Sequence, residues 1–350
     1  QSDRMKAIIL VGGQGSRMRP LTSHLPKNIV PVCGVPFLTY QIKYLKTAGI
    51  KEIVFSIGYR PEDIRAVYGD GRRHQVKIHY ALEKAPLGTA GALKNSEKYV
   101  KNSPVIVLNG DILTDIPLDQ MIKFHRKNKN LATLGLVRVE DPTAYGLVLL
   151  DKQNRVTKFL EKPASDEVVT DTINAGVYLF EPGVFDYIPA GVNYSAERGL
   201  FPNLLKDKNP MGGFVWEGYW QDIGTPWKYL TTHWDVLNGS FPVFAPLTVK
   251  ANKIYMGKNV KIGKGALLKG PAIIEDGCVI GEGARILPYA VLGKKCVIGK
   301  NSSVSRSVLW DGVTLGNHVQ LDEVVLGRNC KVHDYTKIAN GSVLGDNARL

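Results

Sequence analysis

The sequence predicts an α/β domain, with a Rossmann-like mixed and mostly parallel sheet covered by helices, followed by a left-handed parallel β-helix. Three observations carry this expectation. Apolar β-rich runs alternate with amphipathic stretches up to about Asn238; a six-residue aliphatic period starts near Asn259 and reaches the last residue; and 350 residues, 44% of them apolar, are enough for two cores.

KAIILV (Lys6 to Val11), KEIVFSI (Lys51 to Ile57), VKIHYA (Val76 to Ala81) and PVIVLNGD (Pro104 to Asp111) read as buried strands, being short, continuous and aliphatic. Between them, Phe37 to Ala48, Pro61 to Tyr68 and Gly88 to Val100 read as helices. Reactive groups are then expected on loops at the carboxyl ends of the strands.

The hexapeptide period places aliphatic residues at Ile262, Leu268, Ile274, Ile280, Ile286, Leu292, Ile298 and Val304, and again at Leu326, Val332, Ile338, Leu344 and Leu350. Two residues before each of the first eight stands a small or β-branched residue, Cys278 and Cys296 among them. Between Val308 and Glu323 two units are one residue short, with Trp310, Leu315 and Leu321 expected to point inward. If three units form one coil, Cys278 and Cys296 stack in neighbouring coils as packed thiols rather than as a metal site. The expected division is a catalytic domain over residues 5–237, a linker over 238–258 with Pro242 and Pro246, and the β-helix over 259–350. Gln1 to Arg4 read as a tag remnant, and an open last coil or an extension past Leu350 is expected.

Net charge is +13, but it divides into +7 over residues 1–250 and +6 over 251–350, with no basic block interleaved with aromatics. That pattern suits anionic small substrates and argues against nucleic acid. No run of 18 apolar residues is present, so no membrane span is expected. Four scattered cysteines form no CxxC pair, which fits a reducing cytoplasm.

Chemistry concentrates first in KAIILVGGQGSRMRPLTSHLPKNIVP (Lys6 to Pro31), where a buried strand runs into Gly12, Gly13 and Gly15. Glycines let backbone amides approach phosphates, and Arg17 and Lys27 supply fixed positive charge. The spacing is neither a Walker A nor a dinucleotide fingerprint.

This stretch resembles the signature of the sugar-nucleotide pyrophosphorylases, in which GG, x-G-[ST]-R, PLT and PK follow one another. EKAPLGTAGAL (Glu83 to Leu93), VLNGD (Val107 to Asp111), FLEKP (Phe159 to Pro163) with NAGVYLF (Asn174 to Phe180), and WQDIGTP (Trp220 to Pro226) match in the right order. The resemblance implies transfer of a nucleotidyl group from a nucleoside triphosphate to a sugar 1-phosphate, with Arg17, Lys27 and Lys162 as the cationic groups of catalysis. Leu10, Gly12, Gly13, Gly15, Glu83, Gly88 and Asp111 would hold the nucleotide. Gly146, Glu161, Asn174 and Gly176 would line the sugar pocket. Asp111 and Asp222 would bind Mg²⁺, the hard cation that attack on an α-phosphate needs.

Glu83 bears on the base. A carboxylate only accepts, which suits the adjacent N1–H and amino donors of guanine, whereas related uridylyl and thymidylyl enzymes tend to carry glutamine there. With the VGG form and the long hexapeptide tail, the chain is similar to mannose-1-phosphate guanylyltransferases, so GTP and mannose 1-phosphate are expected. Asn28 departs from the proline often found after the motif lysine. Glucose-1-phosphate uridylyl or thymidylyl transfer stays open, as do a hexapeptide acyltransferase using His318 or His333 with coenzyme A, and an inert regulatory subunit. A homo-oligomer formed through the β-helix is expected.

Overall fold

The computed structural model describes residues 5–161, 164, 168–242 and 244–350. Packing divides the chain into two units: Gln1–Gly13 with Tyr40–Gln221, and Gln14–Thr39 with Asp222–Leu350. The boundary falls inside the glycine-rich stretch.

In chain order the elements begin with β1 (Lys6–Val11), the short hairpin β2 (Pro31–Val32) and β3 (Val35–Pro36), and α1 (Leu38–Thr47). Then come β4 (Glu52–Ile57), α2 (Pro61–Tyr68), β5 (Lys77–Leu82), α3 (Gly88–Val100), β6 (Val105–Asn109), β7 (Ile112–Thr114) and α4 (Leu118–Lys127). They continue through β8 (Ala132–Arg138), β9 (Gly146–Leu150), β10 (Val156–Glu161), β11 (Thr172–Phe180), α5 (Phe201–Lys206), β12 (Met211–Trp216), β13 (Trp220–Asp222) and α6 (Pro226–Asn238).

The first unit is built on a nine-stranded mixed sheet in the order β10-β9-β11-β6-β1-β4-β5, with β8 paired to β11 and β12 to β8. Its β5-β4-β1-β6 part is parallel, while β11 runs antiparallel to β6. Ala7, Ile8 and Ile9 are all 0% exposed, so the central strand is covered on both faces, which is why it reads as a continuous apolar run. On one face Ala90 and Leu93 of α3 and Phe201 and Leu204 of α5 pack with Ile8, Val107 and Phe180. From β1 the chain moves outward through β4 and β5 and returns to β6 on the other side. The sheet therefore switches direction beside β1, and the crevice at the carboxyl ends of β1 and β6 is where such folds bind ligands.

In the second unit, short parallel strands stack into three sheets with ladders of equivalent residues. Ile262, Ile280, Ile298, Leu315 and Val332 form one ladder. Leu268, Ile286, Val304 and Leu321 form the second, and Ile274, Leu292, Leu309, Leu326 and Leu344 the third. The architecture is that of a left-handed β-helix. Left-handed turn residues recur with the same period, several of them Gly or Asn (Gly277, Gly283, Asn301), the types that adopt that conformation at least cost. Aspartates close the turns, Asp276, Asp311, Asp334 and Asp346 each accepting a backbone N–H from the preceding coil at 2.7–2.9 Å. Cys278 and Cys296 occupy equivalent sites in adjacent coils, both fully buried, and their neighbours in that stack are Val313 and then Cys330.

Trp310 does not point into the coil. Leu309 is in register with Leu292 and Leu326, and Trp310 instead donates its indole N–H to the Tyr229 hydroxyl of α6 at 2.9 Å. The shortened units lie at the corners 304–309 and 321–326, where Arg306 and Glu323 take the left-handed position and pair at 3.0 Å. Counting hexads from the sequence puts the lost residue one step late, because it is the ladder with neighbouring coils that sets the register.

Among the described residues no helix is long and apolar enough to cross a membrane. Ile286 is 0% exposed at the middle of its ladder. Ile286→Ala should destabilise the β-helix by about 2–5 kcal/mol, read as a lower denaturation midpoint in urea.

Candidate functional site

Leu10 pairs with Asn109, and its carbonyl accepts the Gly110 N–H at 2.9 Å. Gly12 and Gly13 are exposed just past the end of β1. Asp111, half buried, sits in the turn from β6 to β7 rather than on a strand. Gln41 of α1 braces that turn by donating its amide to the carbonyls of Asn109 (2.7 Å) and Ile112 (2.9 Å). Sequence reasoning missed Gln41, since nothing local marks a glutamine whose partners lie some seventy positions away.

Glu83 is half buried, not a surface charge. Its Oε2 accepts the Leu87 N–H at 3.1 Å, and a Cβ placed on Gly12 would lie 3.3 Å from Oε1. Burial raises its pKa above the usual carboxylate range, with the Leu87 amide and the Ser56 hydroxyl opposing. Gly88, at φ +69°, opens α3, and a side chain there would meet the Tyr194 carbonyl at 2.8 Å.

The residues expected around the sugar gather at one side of the same sheet. Gly146 and Glu161 face each other across β9 and β10, and a Cβ on Gly146 would lie 2.9 Å from Glu161 Oε2. Asn174 and Gly176 form a bulge in β11, where the Asn174 amide donates to the Tyr178 hydroxyl at 2.8 Å and its Oδ1 accepts the Gly176 N–H at 3.1 Å. Trp220 donates to the Ala175 carbonyl at 2.8 Å and meets the Tyr145 ring edge-on, an apolar wall the sequence did not announce. Lys162 lies outside the described residues.

Gly15, Arg17, Lys27 and Asp222 belong to the other unit. Gly15 has φ +66°, and a Cβ there would come within 2.9 Å of Lys27 Cβ. Thr22 ties the loop by donating to the Gly15 carbonyl at 2.7 Å. Lys27 is only 9% exposed. Arg17 and Asp222 flank Gly224, whose amide donates to Asp222 Oδ2 at 3.2 Å. Asp222 also takes the Lys228 ammonium, while Thr225, not Asp222, caps α6 by accepting the Lys228 N–H at 3.3 Å. Both carboxylates offer oxygen donors of the kind Mg²⁺ takes one or two of, the rest of its shell coming from phosphates and water. Among the described residues no group of three His, Cys, Asp or Glu forms a metal cluster. His318 stacks on Tyr335 at 4.7 Å, and both side chains are exposed, as is His333.

A family model described as nucleotidyl transferase matches residues 6–239, and one described as the EIF2B subunit epsilon LbH domain matches 251–350. A mannose-1-phosphate guanylyltransferase of Mycobacterium tuberculosis is 38% identical over 300 residues, covering 79% of this chain and 83% of that protein. The mannose-1-phosphate guanyltransferase of Hypocrea jecorina is 36% identical over 99% of this chain and 92% of its own length. Among solved structures, HddC from Yersinia pseudotuberculosis complexed with GMP-PN superposes with a TM-score of 0.57 at 28% identity, over 66% of this chain and 99% of that one. A putative glucose-1-phosphate thymidylyltransferase from Bacillus anthracis gives 0.58 at 26% identity, over 65% and 94%.

Gly15→Ala forces a left-handed alanine, costing about 1–2 kcal/mol, and pushes on the Lys27 stem. Its kcat should fall about tenfold or more while thermal unfolding shifts by only a few degrees.

Proposed function

Because the chain belongs to the nucleotidyl transferase family, we propose that it transfers a guanylyl group from GTP to mannose 1-phosphate, giving GDP-mannose and pyrophosphate. The observation that carries the base assignment is Glu83, a half-buried carboxylate held by the Leu87 amide against the glycine loop, where it would accept from the N1–H and amino group of guanine.

No protein nucleophile is required. A phosphate oxygen of the sugar 1-phosphate attacks the α-phosphorus, the bond to the bridging oxygen of the β-phosphate breaks, and pyrophosphate leaves with that electron pair. Catalysis is then positioning and charge neutralisation. Arg17, Lys27 and Lys162 offset phosphate charge, and the burial of Lys27 behind Gly15 supports its part in this. Mg²⁺ bound by Asp111 and Asp222 would neutralise the phosphate oxygens. Glu161 accepts from sugar hydroxyls beside Gly146, and the Asn174–Gly176 bulge closes the pocket floor. All four cysteines are free and buried, in keeping with a reducing cytoplasm.

Pyrophosphate release over a matrix of nucleoside triphosphates and sugar 1-phosphates tests the reaction, with Asp111→Asn as the inactive control. GTP with mannose 1-phosphate should be the best pair, and no turnover with any pair would sink the reading. Glu83→Gln should cost GTP use about tenfold or more relative to UTP or dTTP; an equal effect on all three would remove Glu83 from base recognition. A homo-oligomer through the β-helix is supported by Ile262 (48% exposed) and Leu267 (46%) at its first coil. Light scattering should report more than one chain per particle, and a monomer at micromolar concentration would refute it.

A further inference from the structure

Within the unit that carries Arg17 and Lys27, the hairpin β2–β3, helix α6 and the β-helix enclose a small cavity. It measures about 20 Å³, room for one water molecule, and Pro31, Gly34, His233, Glu275 and Asp311 are among its walls. His233 is fully buried and donates Nδ1–H to the Tyr229 carbonyl at 2.9 Å, and the Pro31 carbonyl of the hairpin also acts on its ring. Glu275 follows the strand Ala272–Ile274 and is 7% exposed. Gly34, at φ +83° in the hairpin turn, lies so close that a Cβ there would be 3.1 Å from Glu275 Oε1. Neither Glu275 nor His233 has a place in the chemistry described above.

We propose that Glu275 is a positioning residue for nucleotidyl transfer: pressed against the turn at Cys33 and Gly34, its carboxyl group sets the hairpin and, through it, the backbone of Lys27. The mechanical link is short. Val30 N–H donates to the Lys27 carbonyl (3.3 Å), Phe37 N–H donates to the Val30 carbonyl (3.0 Å), and the Tyr229 hydroxyl holds the Pro31 carbonyl. The catalytic consequence rests on the reading that Lys27 acts on the triphosphate; the structural one does not.

Glu275 is faced by Asp276 and Cys278 of its own coil, by Lys294 of the next and Asp311 of the one after it, by Cys33 of the hairpin, and by Tyr229 and His233 of α6. Burial, helped by Asp311 and Asp276 and opposed by Lys294, pushes its pKa up to about 7. Burial also pushes the Cys33 thiol and the Tyr229 phenol up and His233 down to about 4, so these three stay neutral. Near neutral pH, Glu275 is thus the cavity group that changes charge. A carboxyl with a raised pKa favours the protonated fold: stability is present at acid pH, is lost as pH rises from about 4.5 to about 7, and is level above that. Ionised, Glu275 places a charge against the Gly34 turn that must be hydrated, and the hairpin loosens.

The test compares the intact chain, Glu275→Gln and Lys294→Met by amide hydrogen exchange of residues 27–37 and by turnover, from about pH 6 to about pH 8.5. Exchange, corrected for its intrinsic pH dependence, should accelerate about 3- to 10-fold across the range in the parent and stay flat in Glu275→Gln. The ratio of parent to Glu275→Gln kcat should fall by a similar factor, the titration of the phosphate substrates cancelling in the ratio. Lys294→Met should move the parent's inflection to higher pH. Flat parent exchange with a flat kcat ratio overturns the proposal. If Glu275→Gln does not fold, Lys294→Met decides, an unmoved inflection overturning it. Absence of turnover with every substrate pair sinks the functional reading alone, since exchange reads the hairpin without it.

Discussion

Arg17 and Lys27 ride on a segment with almost no regular structure of its own, and a loop of that kind holds a charge in place only if something else holds the loop. Residues of α6 and the β-helix do so. The Tyr229 hydroxyl, itself held by Trp310, binds the Pro31 carbonyl; the Cys33 thiol donates to the His233 carbonyl at 3.8 Å; and Gly34 packs on Ala245 and Glu275. Farther along the segment, Pro20 lies against Gly345 of the last coils. The β-helix therefore supports the cationic loop directly, and its ladders fix the surface on which that loop rests.

The other unit gathers the remaining residues proposed for the site. There the strand ends deliver the backbone of Gly12 and Gly13, the Asp111 turn and the Glu83 carboxylate, while the β9, β10 and β11 region offers Gly146, Glu161, Asn174 and Gly176. Its polar groups are braced by others before any substrate arrives: Gln41 under Asp111, the Leu87 amide on Glu83, Tyr178 on Asn174. Such prior bracing reduces the reorganisation that binding would otherwise demand.

What could be read from the sequence was whatever has a local period or a local motif. The β1 run, the α2 and α3 spans and the six-residue ladder are patterns of near neighbours, and the structure reproduces them within a residue or so. Leu309 was misjudged in favour of Trp310 because a corner that loses a residue can be placed only by the coil above and below it. Gln41 and Glu275, and the contact that Trp220 makes with Ala175, were invisible for a related reason: each acts on a partner far away in the chain, and the residue itself carries no sign of it. The same holds for the division of the glycine-rich stretch between the two units, with Gly13 on one side and Gln14 on the other.

The two short corners of the β-helix lie one above the other, with Arg306 of the first paired to Asp322 and Glu323 of the second. Stacked this way, each short turn has a neighbour of its own length on one side, while the corner on its other side, 286–292 or 338–344, keeps six residues. Insertions and deletions at a β-helix corner should then be inherited in adjacent pairs, so that the length of one coil is a constraint on the evolution of the next.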